Sequence, residues 1–251
     1  LVRKMKKENL DKSSFLEFSA RSPFFDNISS NHLNTIGSFS VHISADKNDV
    51  LYTAGKKYCG GIFCLISGKV NLSWLQGENN LALFRKVYEN ETFNTLSIFH
   101  EETNTNTALI AEQSSLLFIP KQPLVNLCIE DPIFDEFLHK KISFEFDREK
   151  LFQILSTVYS KEVDQDILRE IIDSGEWVYL KNNTKLFDAG DPSDSIFILV
   201  RGFLKVFIPV DSKLKEVGEI KEGEVIGEMG LLSDEPRSAT IYSTRESILF
   251  K

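Results

Sequence analysis

Residues 224–241 read EVIGEMGLLSDEPRSATI, and this cassette decides how the rest of the chain is interpreted. A Gly-Glu pair, Gly227 and Glu228, precedes a short apolar run, and Arg237 follows nine residues after the glutamate. A short helix after Gly227 would direct unpaired N–H groups at an anion, and Gly227 and Gly230 allow close backbone approach. Arg237 supplies a planar, permanently charged group for phosphate oxygens. Glu228 suits such a site only if it accepts hydrogen bonds from ligand hydroxyls, which a ribose provides, so the cassette predicts a nucleotide site.

Outward from the cassette, the chain repeats itself with a period near 134 residues. The order of the matched positions is kept while the offset drifts from 135 to 134 and then to 133, as loop insertions and deletions in a duplicated domain would leave it. The matched pairs include Asn48 and Asn183, Leu51 and Leu186, Ala54 and Ala189, Gly55 and Gly190, Gly68 and Gly202, Glu91 and Glu224, and Thr107 and Thr240.

Short β-rich runs lie between the repeated positions, at 49–52, 61–75, 81–87 and 108–119 in the first copy. Clusters of Gly, Asn and Asp punctuate them, and the stretches 77–80 and 209–212 stand where a hairpin would turn. The pattern predicts a small antiparallel roll, made twice.

The segment between the two copies has helical periodicity. Apolar residues over 133–142 and 151–155 are spaced for one helix face, with Pro132 at a first helical position and Asp131 as cap. A second pattern runs over 161–173, with Gly175 after its end. A long helical hinge is therefore predicted between the rolls, and its apolar face suits ordinary packing, a relay role, or both.

Composition restricts the possible functions. The 251 residues are 42% hydrophobic and 26% charged, with no long apolar run, which predicts two domains of a soluble, cytoplasmic protein without membrane insertion. A net charge of -8 opposes nucleic acid as a partner. The three cysteines are expected to be reduced and inert, and the four scattered histidines predict no metal site. No catalytic motif is present, so no enzymatic chemistry and no cofactor are expected within these residues.

Over 226–241 the chain resembles the cyclic-nucleotide-binding domain family, whose cassette reads approximately F-G-E-[LI]-[AG]-L-x(4)-P-R-[AST]-A-[TS]-V. The resemblance implies a mostly β fold with flanking helices, in which two tandem cyclic-nucleotide-binding β-rolls (double-stranded β-helix or jelly-roll) are joined by helical hinge segments. The expected divisions are an N-terminal helical segment over 1–22, a degenerate first roll over 23–143 and a second roll over 144–251.

The resemblance also assigns roles to residues of the second roll. Glu228 would take the ribose 2′-hydroxyl, Arg237 the equatorial phosphate oxygen, and Gly227 with Ala239 would offer backbone contacts. Ser238 occupies the base-selective position, where serine favours cAMP mildly over cGMP. Apolar side chains would line the rest of the pocket. The expected ligand-binding set is Ile226, Gly227, Glu228, Met229, Gly230, Leu231, Arg237, Ser238 and Ala239. In the alternative, Glu228 and Arg237 pair across a turn in a roll that binds nothing.

In the first copy the same positions carry different residues. An alignment without gaps over the cassette places Asn94 at the Gly227 position, Thr95 at the Glu228 position and Asn104 at the Arg237 position. The ribose acceptor and the phosphate cation are both lost, so the first roll is expected to be structural or to bind something else.

The output of the sensor is not identified by the sequence. The family often has a lid helix after the last strand, and the chain stops at Lys251, so a regulatory fragment of a longer protein is expected. Residues 3–7 lack a kinase pseudosubstrate, which disfavours a standard kinase regulatory subunit. Tandem rolls also precede patatin-like lipid hydrolases of the neuropathy target esterase group, and a ligand-free interaction scaffold is the remaining alternative. The expected partners are a cyclic nucleotide and an unidentified effector.

Overall fold

The computed structural model describes residues 6–9, 12–57, 59–76, 80–100, 103–104, 106–158, 163–211, 213–233 and 235–251. The chain divides into two compact units, 1–146 and 147–251, three residues from the predicted boundary. Among the described residues, no helix combines the length and apolar character needed to cross a lipid bilayer.

The first unit is an antiparallel sheet flanked by helices. Its strands are ordered β1-β2-β7-β4-β5, with β3 also paired to β7 and β6 to β4. Its elements are β1 (Lys6–Asn9), α1 (Lys12–Ser19), a 3-10 turn (Pro23–Phe25), α2 (Ser30–Phe39), β2 (Val41–Ala45), β3 (Val50–Tyr52), β4 (Gly61–Gln76), β5 (Asn80–Val87), β6 (Thr92–Phe93), α3 (Ser97–His100), β7 (Thr107–Pro120) and α4 (Lys121–Glu130).

Alternation along β4 gives the first unit two hydrophobic cores. Because successive side chains of a strand point to opposite faces, Ile62 and Cys64 pack with the helices, whereas Phe63 and Leu65 pack inside the roll formed by β2–β7. All three cysteines are free thiols, and burial raises the pKa of Cys59 to about 11. Such a thiol is protonated at neutral pH and is a poor nucleophile.

Helix α5 (Pro132–Val158) is longer than the separate stretches that the periodicity predicts. The predicted cap is confirmed, because Asp131 Oδ1 accepts hydrogen bonds from the N–H groups of Ile133 and Phe134 at 2.8 and 3.2 Å. Its N-terminal half contributes to a core of the first unit, and its C-terminal half, including Leu151 and Leu155, to a core of the second. Ordinary packing therefore accounts for its apolar face.

The second unit begins within α5 and contains a second roll, which is formed by β8–β15. One antiparallel sheet has the order β13-β10-β15-β8 and another β12-β11-β14-β9. The elements are α6 (Gln165–Ser174), β8 (Trp177–Leu180), β9 (Lys185–Phe187), β10 (Phe197–Arg201), β11 (Leu204–Val210), β12 (Lys213–Ile220), β13 (Val225–Ile226), α7 (Glu228–Ser233), β14 (Thr240–Ser243) and β15 (Ser247–Phe250). The mostly β architecture with flanking helices is confirmed.

Two elements differ from the sequence expectations. The segment 1–22, expected to be helical, contains strand β1 before α1, because residues 6–9 pair antiparallel with β2 and satisfy their backbone groups there. The second hinge helix begins at Gln165 rather than near 161, with Asp164 as its cap, and ends as expected before Gly175. Residues 161–162 and most of the predicted 77–80 turn lie outside the described residues.

Candidate nucleotide site

The cassette forms the turn between β12 and β14 in the second roll. Strand β13 leads to Gly227, whose φ of +87° is in the left-handed region that favours glycine. The predicted short helix follows as α7. Arg237 then enters the roll, only 5% exposed, just before β14 begins. The chain therefore brings a buried cation against a tight backbone turn.

The guanidinium of Arg237 is held by backbone carbonyls. Nη1 donates to the Gly227 carbonyl at 3.0 Å, and Nη2 donates to the Ser195 carbonyl at 2.6 Å. Asp194, an exposed residue, lies 4.0 Å from Nη2. Among the described residues, Arg237 forms no ion pair with Glu228, so the alternative in which these two side chains pair finds no support in this geometry.

Within the described residues, one nitrogen of this guanidinium has no hydrogen-bond acceptor. The Nε atom of Arg237 is buried and makes no hydrogen bond within the described part of the chain. Burying a polar group without a partner is unfavourable, and a charged group more so, which makes this edge suited to an anionic acceptor. The guanidinium carbon also lies 4.4 Å from the ring centroid of Phe187. Sequence reasoning missed Ser195 and Phe187, since both are more than forty residues away along the chain.

Both cassette glycines are required by close contacts. A Cβ atom on Gly227 would lie 2.1 Å from Nη1 of Arg237, and a Cβ on Gly230 would lie 2.1 Å from Oγ of Ser193. That hydroxyl is buried and is also without a partner among the described residues. The glycines thus allow α7 to lie directly against the arginine and the 193–195 loop.

The other predicted site residues divide between core and surface. Ile226 is 4% exposed and packs in the core of the second roll, where it anchors the start of the cassette rather than lining an open pocket. Glu228 and Ser238 are exposed and Ala239 is half-buried. Met229 and Leu231 are 70% and 49% exposed, which is unusual for apolar side chains of this size. An exposed carboxylate and exposed apolar groups therefore follow Gly227, whose carbonyl accepts a hydrogen bond from the arginine.

Backbone hydrogen bonds clamp Arg237 in place. The Gly190 N–H donates to the Arg237 carbonyl, and the Arg237 N–H donates to the Asp191 carbonyl, both at 2.8 Å. The hydroxyl of Thr240 accepts from the Ala189 N–H at 3.0 Å. The arginine side chain is consequently presented by a loop that does not depend on its guanidinium.

The first roll repeats this clamp around Asn104. Gly55 N–H donates to the Asn104 carbonyl at 2.9 Å, and Asn104 N–H donates to the Lys56 carbonyl at 3.0 Å. Thr107 Oγ1 accepts from the Ala54 N–H at 3.0 Å. These bonds match those of the second roll one for one, so Asn104 occupies the place of Arg237, as the alignment predicts.

The Asn104 side chain is hydrogen-bonded to the backbone of its own roll. Its amide nitrogen lies 3.1 to 3.2 Å from the carbonyls of Thr53, Lys56 and Lys57, and its oxygen accepts from the Cys59 N–H at 3.3 Å. The residue is 3% exposed. The donors that would face a ligand in the second roll are thus used on the protein itself.

The other two aligned positions of the first roll, Asn94 and Thr95, are also buried in the protein. Asn94 keeps the left-handed backbone of its counterpart Gly227, with φ +64°, and donates to the Gly61 carbonyl at 2.9 Å. Thr95, at the position of the exposed Glu228, is 3% exposed. The first roll retains the backbone of the site without its charged groups.

We expect Asn104→Ala to lower the free energy of unfolding by about 2–3 kcal/mol, because it removes the hydrogen bonds of a buried amide to the backbone of the 53–59 loop. Urea denaturation measures the change, and Asn182→Ala, which truncates an exposed asparagine, provides the control. An equal and small effect of both substitutions would contradict a structural role for the Asn104 amide.

Helix α5 is tied to the loop that precedes the cassette. Lys150 Nζ donates to Glu222 Oε2 at 2.5 Å, and Glu222 Oε1 accepts from the Gly202 N–H at 3.0 Å. One turn earlier on the helix, the carboxylate of Asp147 pairs with Arg201 at 3.2 Å, and burial raises the pKa of Asp147. The loop before the cassette is therefore joined to this part of α5 through Glu222.

Curated relatives match one part of the chain. Lysophospholipase nte1 of Aspergillus terreus is 34% identical over 77 residues, 30% of this chain and 5% of that protein. The Neurospora crassa protein of the same name also shows 34% identity over 77 residues, with the same coverage. The matched segment is thus about a twentieth of the length of these relatives.

Solved structures resemble the chain along nearly its whole length. The regulatory domain of Toxoplasma gondii PKA with cAMP has a TM-score of 0.44 and 16% identity, covering 95% of this chain and 87% of that one. A regulatory subunit of a cAMP-independent protein kinase A from Trypanosoma cruzi bound to guanosine has a TM-score of 0.42 and 15% identity, covering 98% and 83%.

The family comparison covers both units. The family model described as the cyclic nucleotide-binding domain matches residues 42–131 and, separately, residues 177–251. The first match contains the clamp around Asn104, and the second contains the clamp around Arg237. With both rolls matched over most of the chain, the protein belongs to the cyclic nucleotide-binding domain family.

Proposed function

We propose that the chain is a cyclic-nucleotide sensor whose second roll binds the ligand, with cAMP preferred over cGMP. The observation that carries this proposal is the buried guanidinium of Arg237, which has an unpartnered Nε–H and no carboxylate closer than 4.0 Å among the described residues. A cation in that setting is stabilised by an incoming anion, and a cyclic phosphate is the anion that the family resemblance implies.

The neighbouring residues fit the rest of a nucleotide. Glu228 is exposed and free to accept hydrogen bonds from ribose hydroxyls, while Met229 and Leu231 offer apolar surface to a base. Ser238 is exposed at the position that the resemblance makes base-selective, which supports the preference for cAMP.

The attachment of α5 supports a regulatory output. A ligand that draws the cassette towards its phosphate would shift the loop held by Lys150 through Glu222. The helix would pass this displacement to an effector domain or partner protein. A ligand can shift such an equilibrium only by its difference in affinity for the two positions of the cassette.

Isothermal titration of the purified chain with cAMP and with cGMP tests the proposal. We expect one site per chain, and a tighter dissociation constant for cAMP than for cGMP. Two sites would overturn the structural role given to the first roll. No binding of either nucleotide, in a protein shown to be folded, would overturn the sensor and favour an interaction scaffold.

A second candidate follows from the 34% identity with lysophospholipase nte1 over 77 residues. The chain would then be a regulatory region of a lipid hydrolase, with the same cyclic nucleotide as its input. An assay of lysophospholipid hydrolysis by the longer protein, with and without cAMP, tests this assignment. Hydrolysis that does not respond to bound cAMP would contradict it.

A further inference from the structure

The aromatic ring against Arg237 belongs to Phe187, the last residue of β9. The guanidinium carbon lies 4.4 Å from the ring centroid of Phe187 and 5.8 Å from that of Phe197. An aromatic face attracts a cation at this distance, and more strongly when the pair is desolvated. The side chain of Arg237 is 4% exposed, so the contact is sheltered from water.

The strand that follows the arginine also fixes the ring. Phe187 pairs with Ile241 in β14, the strand that begins three residues after Arg237. Two residues beyond the ring, the loop from Ala189 supplies the backbone clamp on the arginine. The pairing of β9 with β14 and the loop that follows β9 therefore position both the ring and the guanidinium.

The two kinds of contact restrain different movements of the guanidinium. The carbonyls of Gly227 and Ser195 fix the directions of its two terminal nitrogens. The ring face of Phe187 opposes tilting of the guanidinium out of its plane. With both restraints present, the unpartnered Nε–H keeps a fixed direction, which is what a preorganised donor to an anion requires.

The first roll shows what this position does without a cation. Tyr52 stands at the Phe187 position, its ring centroid is 5.8 Å from that of Phe63, and its hydroxyl donates to Asn106 at 3.0 Å. In the first roll Asn106 accepts this hydroxyl, whereas the second roll has Ala239 at the aligned position. Phe187→Tyr is the variant that keeps the ring face.

We propose that Phe187 is a positioning residue of the nucleotide site, whose ring face holds the guanidinium of Arg237 in the orientation that receives the phosphate. This inference rests on the proposed function. It adds a residue outside the cassette to the determinants of affinity.

Titration calorimetry with cAMP on five variants tests the proposal. We expect Phe187→Leu to weaken binding about 10-fold and Phe187→Tyr to stay within about 3-fold of wild type, because only the former removes the ring. Phe207→Leu is the matched control, since it removes an aromatic residue that packs on Tyr242 in the same roll. In an Arg237→Lys background, the effect of Phe187→Leu should fall below about 3-fold, because ammonium lacks the planar face that stacks on a ring.

The NMR signal of the Arg237 Nε–H gives a readout that needs no ligand. The signal, identified by its loss in Arg237→Lys, should be shifted by the ring current in wild type and should move in Phe187→Leu. An unmoved signal would overturn the positioning role whatever the nucleotide data show, as would an equal loss of affinity in the two backgrounds. If the signal moves but the protein binds no nucleotide, the contact between Phe187 and Arg237 is established and the proposed function is wrong.

Discussion

Replacing Arg237 with alanine is expected to lower the affinity of the chain for cAMP by about 100-fold. Truncating one partner of a desolvated, hydrogen-bonded charge pair costs about 2–5 kcal/mol, and about 2.7 kcal/mol corresponds to 100-fold. Among the described residues the nearest carboxylate to the guanidinium is 4.0 Å away. Isothermal titration measures the change.

Arg169→Ala provides the charge-matched control for this prediction. Arg169 lies on α6 and faces Asp173 at 4.0 Å, so its loss removes the same charge from the second unit without touching the cassette. We expect its affinity for cAMP to stay within about twofold of wild type. An equal loss in both variants would indicate a general effect of net charge and would contradict the role of Arg237.

Gly227→Ala is expected to lower the free energy of unfolding by about 2–4 kcal/mol and to weaken nucleotide binding. A methyl group on Gly227 strains a backbone with φ +87° and would lie 2.1 Å from Nη1 of Arg237. The backbone conformation contributes about 1 kcal/mol and the steric conflict about 1–3 kcal/mol. Urea denaturation at a fixed pH gives the total.

Gly223→Ala separates these two contributions. Its φ is +92°, but the nearest atom to a Cβ at this position would be Ile154 Cγ1 at 3.9 Å, an ordinary van der Waals distance. We expect this variant to lose only about 1 kcal/mol. In an Arg237→Ala background the penalty of Gly227→Ala should fall to the same value. A penalty that persists there would show that the guanidinium is not what Gly227 makes room for.

The sequence predicts the two rolls and the cassette because their signals are local or periodic. Gly227 and Arg237 lie in one short stretch of sequence, and the internal repeat aligns Asn104 with Arg237. The hinge helix follows from apolar periodicity and from the cap at Asp131. Each of these features depends on neighbours in sequence, or on a comparison of the chain with itself.

The partners of Arg237 could not be predicted in the same way. Ser195 and Phe187 reach the guanidinium only through strand pairing, which brings distant residues together. Asn104 could be placed by alignment, but the number of carbonyls its amide reaches depends on the path of the 53–59 loop.

Helix α4 escaped prediction for a local reason. Its sequence KQPLVNLCIE contains Pro123, and a proline is normally a signal against a helix. The proline falls in the first turn, where its missing N–H has no intrahelical acceptor to lose. Strand β1 is similarly inconspicuous, because its polar sequence KKEN becomes a strand only by pairing with β2.

The duplicated clamp has a consequence for how such tandem rolls diverge. Since the same backbone bonds hold Asn104 in one roll and Arg237 in the other, the loop that presents this residue is stable with either side chain. Loss or gain of a ligand then requires changes in a few side chains and no new fold. A tandem protein of this kind can lose one input in evolution while its architecture is retained, and a second input could be engineered by grafting the cassette of one copy onto the other.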